Sequence, residues 1–378
     1  MSTMVSHSKT GSSAIGEVRG DIRLGIIGCG AIAEGAHLPA ALSLPDVDLT
    51  VLSDTSEARL RQVQTEFGLG PIAFTDFHET FEKVDAVVLA LPNTLHAPIA
   101  CEYLCRGIHV LCEKPLASTS KECEEMCRTA DESRAILAVG YVTRFHPSTE
   151  LTRELIQSGF LGVLQSFDYE FGTAGGWATQ SGYNLSRSTA GGGVLVVSGS
   201  HFVDRMLYFF DSVDVVDYVD DNYGGVEANC VACFRAELQG YSVPGTVTLS
   251  KTHRLANRLR ITGQRGVLEV REGQSNSVTF FPADVSHKHE IFPSAPATQP
   301  EPDFFQLQLL DFLRAVRCGQ QPKVNGRQGS RSVLLMERCY QVAARLEETW
   351  STATIESLRA AMPPVLQPAS YSGGKTPK

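Results

Sequence analysis

Short apolar runs alternate with longer amphipathic stretches through the first part of the chain. Ile22-Arg23-Leu24-Gly25-Ile26-Ile27 reads as a buried strand, and Asp48 to Leu52 as a second that ends at Asp54. A polar amphipathic helix is expected over Glu57 to Phe67. Strands are expected near Ile72 to Phe74, over Asp85 to Leu91, at His109 to Cys112 and at Ile136 to Gly140. Strands separated by helices imply a parallel sheet with right-handed crossovers, since parallel neighbours need a connection about as long as a helix. Between Leu164 and Phe281 the apolar period drops to two. Val226 to Leu238, Val243 to Ser250, Arg258 to Thr262 and Val267 to Arg271 read as strands of a second unit. Helical patterns resume at Pro302 to Cys318 and Ser330 to Glu348. The fold class is therefore α/β, with no internal repeat.

Composition narrows the partners. The 378 residues suffice for two domains with real cores. The net charge of −9, with no basic run, argues against a nucleic-acid partner. The longest apolar stretches, such as Val84 to Pro92, are too short to cross a bilayer, so no membrane association is expected. Residues 1–20 are polar, Ser/Gly-rich and lack the apolar centre of a secretory signal. They are expected to be a disordered leader, residues 363–378 a flexible tail, and the location cytoplasmic. The ten cysteines are then expected as free thiols. Cys230 and Cys233 lie on opposite faces of a strand, Cys123 and Cys127 fit packing positions, and no HExxH spacing occurs, so no metal is expected.

The candidate chemistry starts at the end of the first strand. Gly28-Cys29-Gly30-Ala31-Ile32-Ala33 follows it directly and opens a helix. In that context Gly28 serves a tight turn, Gly30 lets the backbone approach a pyrophosphate, and small Ala33 permits close helix–strand packing. Asp54 ends the second strand, where its carboxylate suits ribose hydroxyls and repels a 2′-phosphate. This favours NAD, while nearby Arg59 keeps NADP open. In Cys112-Glu113-Lys114-Pro115, Lys114 falls at the carboxyl edge of the sheet, where such sheets bind ligands. Partly desolvated beside a cationic ring, it is able to accept a proton.

Gly28-x-Gly30, Leu91-Pro92-Asn93-x-x-His96, Gly107 to Pro115, Arg144-Phe145-His146-Pro147, Ala190-Gly191-Gly192-Gly193 and His201-Phe202-Val203-Asp204, in that order, resemble the Gfo/Idh/MocA oxidoreductases. These are glucose–fructose oxidoreductase-like and inositol dehydrogenase-like enzymes. The resemblance implies a Rossmann domain over residues 21–142. It implies a substrate and oligomerisation domain over 143–362, built on a large, mostly antiparallel, open-faced sheet that pairs copies into a homodimer or homotetramer. It implies hydride transfer between nicotinamide and a ring carbon of a sugar, amino-sugar or cyclitol. Lys114 and His201 would be the catalytic residues. Gly28, Gly30, Ala31, Ile32, Asp54, Arg59, Pro92, Asn93, His96, Glu113 and Lys114 would meet the cofactor.

Substrate contacts are expected from Arg144 and His146, after the interdomain strand, and from Tyr183, Asn184, Arg187 and His201. The loop from Gly175 to Arg187 suits a pocket wall. The sequence departs from the family pattern at one site residue: the position usually held by Asp is Val197. An apolar side chain cannot orient Lys114 or accept a substrate hydroxyl. Two alternatives follow: an NAD-dependent lyase or glycosidase working through transient oxidation, and a nucleotide-binding regulator or scaffold without turnover.

Overall fold

The computed structural model describes residues 22–70, 72–175, 182–293 and 303–346. The expected leader and tail, the centre of the expected pocket loop and the far end of the last expected helix lie outside those residues.

Six strands form the first sheet: β1 (Ile22–Ile27), β2 (Val47–Ser53), β3 (Ala73–Phe74), β4 (Ala86–Leu89), β5 (His109–Cys112) and β6 (Leu137–Val139). Their order is β3-β2-β1-β4-β5-β6, and every pairing is parallel. This is the doubly wound arrangement the alternation implies. The order reverses between β1 and β4, and ligands of such sheets bind in the crevice beyond that point. The glycine loop leaves β1 there, and Leu91-Pro92-Asn93 leaves β4 beside it. Strands with four consecutive buried residues, such as Ala86–Leu89, reflect a sheet covered on both faces.

The second sheet has nine strands: β7 (Leu164–Gly172), β8 (Ser212–Asp220), β9 (Asn229–Leu238), β10 (Tyr241–Ser250), β11 (Arg258–Gly263), β12 (Gly266–Arg271), β13 (Val278–Pro282), β14 (His289–Ile291) and β15 (Ala343–Arg345). Only β10–β7 and β15–β8 pair in parallel; the other pairings are antiparallel.

The expected last helix starts earlier than Ser330. It spans Gly326–Gln341 because Asn325 caps it, accepting from the Gln328 amide while Gln328 bonds back to the Asn325 amide. The segment that carries His201 is wound as a π-turn over Leu195–Gly199 before a regular helix over Ser200–Phe209.

One apolar core runs from the β5 side of the first sheet into the second domain. The other face of the first sheet is sealed by the helix Phe304–Cys318, whose Leu309, Phe312 and Leu313 pack against Leu24, Ile26 and Leu38. The chain thus crosses back to the nucleotide domain after building the second sheet, which fixes the crevice between the two. Cys123 and Cys127 are buried packing residues, and all ten cysteines are free. No helix among the described residues is long and apolar enough to cross a membrane.

Candidate active site

The glycine loop sits against the ends of three strands. Gly28 adopts φ +92°, and its amide donates to the Ser53 carbonyl at 2.7 Å. A Cβ there would drive into the Ala90 carbonyl, so glycine is required by backbone and neighbour alike. Gly30 differs. It has no positive φ, and a Cβ on it would meet no atom within 4 Å. The chain's own packing therefore gives no reason for glycine at that position; open space in front of a helix start does. Residues 31–42 form that helix, π-wound over Ala33–His37, and its first bond runs from the Glu34 amide to the Gly30 carbonyl. The amides of Ala31 and Ile32 precede any intrahelical acceptor and point outward at the positive end of the helix. A pyrophosphate fits this cradle.

Asp54 braces the loop from the side. Its Oδ2 accepts from the Cys29 amide at 2.9 Å and its Oδ1 from the Ser56 amide at 2.8 Å. Each oxygen keeps a lone pair for a ribose hydroxyl. Arg59 is not free to greet a phosphate. Its Nε donates to the Cys29 carbonyl at 2.5 Å, and its guanidinium pairs with Glu34 at 2.6 Å.

Lys114 follows β5, and its peptide bond to Pro115 is cis. Its Nζ donates to the Val197 carbonyl at 2.9 Å. The orienting contact that an Asp side chain would give is thus supplied by the main chain of the π-wound turn, which is indifferent to the side chain at 197. Such turns recur at functional sites. Burial lowers the Lys114 ammonium's proton affinity, Glu113 opposes this, and Lys251 adds to it. His201 lies one residue into the regular helix, edge-on to Tyr141 with ring centroids 6.2 Å apart. Its Nδ1 is buried with no hydrogen-bond partner among the described residues. Burial, with Lys114, Arg205 and His146 nearby, pushes the imidazole well below its usual range, so it is neutral at physiological pH. His146 stands beside the same group. Burial and Arg205 lower it to about 4, and its ring packs on Phe304 at 4.5 Å.

Several predicted contacts resolve differently. Arg144 is 2% exposed, and its guanidinium clamps both oxygens of buried Asp204 at 2.6 and 2.8 Å while stacking on Tyr208. It therefore holds the helix Ser200–Phe209, while its Nη1 is buried with no hydrogen-bond partner among the described residues. His96 is fully buried, with its ring nitrogens 2.8 and 2.9 Å from the carbonyls of Pro115 and Leu91. Its side chain joins two loops and leaves nothing for the cofactor. Asn93 donates to the Ala190 carbonyl at 2.7 Å, tying the β4 loop, which starts at Pro92, to the second domain. Glu113 accepts from His37 at 2.8 Å and from the Lys114 amide at 3.1 Å. Burial would raise its carboxyl, but the His37 hydrogen bond and neighbouring charges outweigh this and hold it low. Glu113 locks the lysine turn to the helix of the glycine loop.

Asn184 is buried, and its Oδ1 is unpaired among the described residues. Arg187 is exposed and lies over the Tyr340 ring at 5.5 Å. Tyr183 belongs to the short helical turn Gly182–Leu185; its side chain is outside the described residues.

Three residues absent from the sequence reading join the site. Arg205, one turn beyond His201, pairs with Glu272, which also accepts from Tyr169. Glu227 receives the amides of Gly193 and Leu195 at 2.8 and 3.0 Å, and a Cβ on Gly193 would strike its backbone. Glycine at 193 is required for this approach. Lys251 closes β10. Only the i, i+4 spacing of His201 and Arg205 was visible in sequence; the other two depend on the second sheet.

Among the described residues no group of three or more His, Cys, Asp or Glu is placed to hold a metal. The rings of His287 and His289 meet edge-on, with centroids 4.8 Å apart. A groove of about 780 Å³ lined by His78, Glu82 and Arg106 opens at the opposite edge of the first sheet, where β4 and β5 begin, and no site residue lines it.

A parallel sheet with its glycine loop at the switch point, and a desolvated lysine at the carboxyl edge of the same sheet, fits a nicotinamide-dependent oxidoreductase. Residues 22–141 match the oxidoreductase family with an NAD-binding Rossmann fold, GFO_IDH_MocA, and residues 153–346 match that family's C-terminal alpha/beta domain. The chain belongs to this family. It is 26% identical over 309 residues to a dTDP-3,4-didehydro-2,6-dideoxy-alpha-D-glucose 3-reductase of Actinomadura kijaniata, covering 80% of this chain and 90% of that one. It is 28% identical over 216 residues to D-glucoside 3-dehydrogenase of Escherichia coli, covering 55% and 60%. The second match thus spans less than two thirds of that relative. Among solved structures, KijD10, a 3-ketoreductase from Actinomadura kijaniata in complex with NADP and TDP-benzene, superposes with a TM-score of 0.75 at 23% identity, covering 86% of this chain and 99% of that one. Levoglucosan dehydrogenase, in complex with NADH and levoglucosan, superposes with a TM-score of 0.72 at 18% identity, covering 85% and 97%.

Proposed function

We propose that this enzyme moves a hydride between nicotinamide and a ring carbon of a sugar, amino-sugar or cyclitol. The observation that carries the reading is the Lys114 ammonium, buried at the carboxyl edge of the sheet, fixed by the Val197 carbonyl and held beside a neutral His201. The relatives' names supply the substrate class, since they include a glucoside dehydrogenase and a deoxysugar reductase.

The bound nicotinamide supplies the hydride acceptor or donor. Gly28, Gly30 and the amides of Ala31 and Ile32 hold the pyrophosphate, and Asp54 takes the ribose hydroxyls. Lys114 takes the proton of the reacting hydroxyl as an amine, or returns it as an ammonium in the reverse direction. His201 stays neutral and hydrogen-bonds the reacting oxygen, while His146 and Asn184 line the sugar. The preferred cofactor is NAD. Asp54 carries negative charge at the 2′ position, and Glu34 already satisfies Arg59, the one nearby cation suited to a 2′-phosphate. NADP, present in the KijD10 complex, is the alternative.

A panel of neutral and charged sugars and cyclitols, offered with NAD and NADP, tests this. Reduced nicotinamide should accumulate with at least one member. Release of a sugar fragment with no net change in cofactor would instead establish the lyase or glycosidase reading. Binding of dinucleotide with no chemistry across the panel would establish the regulator.

The same reading places the enzyme in the cytoplasm as a dimer or tetramer joined through the second sheet. The mass in solution by light scattering decides that point, and a monomer at micromolar concentration would refute it.

A further inference from the structure

A second lysine stands at the site without any motif to mark it. Lys251 follows the last residue of β10. Its amide donates to the Ala228 carbonyl at 2.8 Å, and its carbonyl accepts from the Gly175 amide at 2.9 Å, so its backbone is fixed on both sides. The end of β10 lies against the π-wound turn, since a Cβ on Gly199 would come within 2.5 Å of Leu249 Cδ1. That turn also presents the Val197 carbonyl to Lys114 Nζ. Two lysines therefore flank one turn, near enough that Lys251 disfavours the ammonium form of Lys114.

The surrounding carboxylates match this pair only in part: Glu113 favours the Lys114 ammonium and Glu227 the Lys251 ammonium, but among the described residues neither forms an ion pair with its lysine. Arg144 is neutralised by Asp204, and Arg205 by Glu272. Glu113 is turned toward His37. Glu227, whose charge favours the Lys251 ammonium, is already used by two amides and the Tyr340 hydroxyl, and burial raises its carboxyl. Among the described residues no carboxylate forms an ion pair with Lys251. At 197, where the family resemblance expects Asp, the side chain is apolar. Partly burying cations with no ion-paired carboxylate is costly, and a ligand that brings the anion reduces that cost.

We propose that Lys251 binds an anionic substituent, a carboxylate or a phosphate, carried by the sugar close to its reacting carbon. This narrows the substrate class of the oxidoreductase reading and rests on it.

The test compares kcat/KM for glucose, glucuronate and glucose 6-phosphate in the parent, Lys251→Met and Lys251→Arg proteins, with NADH titrated into each by fluorescence. The parent should favour one of the two anionic sugars over glucose, and which one distinguishes carboxylate from phosphate. Lys251→Met should cut that preference by about tenfold or more, the size of one charge-assisted hydrogen bond, with the loss in KM. Lys251→Arg should restore most of it. Preference for glucose in the parent, or equal discrimination in parent and Lys251→Met, would overturn the proposal and leave the oxidoreductase reading standing. Normal NADH binding with no turnover of these three sugars or of the wider panel of sugars and cyclitols would bring down both.

Discussion

Replacing Lys114 with Met removes the one nitrogen placed to carry the hydroxyl proton while keeping an unbranched chain of similar length. General acid–base assistance is worth roughly 10²–10⁴ in rate, which is about 3–5 kcal/mol of barrier. The structure argues for the middle of that range or above. Nζ is held by the Val197 carbonyl, so it is a positioned group. His201 remains beside it, but burial keeps its imidazole neutral, so it cannot store the proton in its place. A loss of about 10³ in kcat is expected. Cofactor affinity should stay unchanged, because the glycine loop and Asp54 are untouched.

The pH profile gives a second readout of the same change. Oxidation needs Lys114 as the free amine. Burial and Lys251 favour that form, so the parent's rate should rise with pH through a limb lying below the ordinary lysine range. Reduction needs the ammonium and should fall through the same limb. Both limbs should vanish in Lys114→Met. Steady-state absorbance of the reduced nicotinamide, with fluorescence titration of the cofactor, measures all of this. A variant rate within about tenfold of the parent, with the limb still present, would remove Lys114 from the chemistry.

Two further outcomes follow from the structure. Glu34→Gln should release the Arg59 guanidinium from its 2.6 Å pairing and raise the NADP-to-NAD preference by roughly tenfold, the scale of one charge-assisted contact; an unchanged ratio of kcat/KM for the two cofactors would show that Glu34 does not set it. Arg144→Ala should leave Asp204 unpaired in a dry interior and cost about 3–5 kcal/mol, read as a lowered urea midpoint, whereas a stable variant with only a raised KM would return Arg144 to the substrate.

The two-domain α/β architecture was legible because local patterns determine it. Buried apolar runs alternate with amphipathic helices in one half, and a period of two governs the other. The glycine loop, Asp54 and Lys114 were legible because their chemistry depends on position relative to a strand end. What the sequence did not reveal depends on partners far along the chain. Arg144 was read as a substrate residue, and its pairing with Asp204, 60 residues away, could not be seen. His96 likewise serves Pro115 and Leu91 across a loop. Val197 looked like a lost function, yet the bond to Lys114 uses a main-chain carbonyl, which no side-chain pattern reports. Lys251 reached the site through the pairing of β10 in the second sheet, and nothing near it in the chain marks it.

The central claim is that the crevice at the end of β1 binds a dinucleotide. Calorimetric titration of the parent and Gly30→Val with NAD and NADP tests it most directly. Because a Cβ at Gly30 meets no protein atom within 4 Å, the variant should fold and melt like the parent. The parent should bind one dinucleotide per chain, with NAD the tighter, and Gly30→Val should bind about tenfold or more weakly, since the added side chain would stand in the place of the pyrophosphate. No binding of either dinucleotide by the parent, or equal affinity in parent and variant, would contradict it.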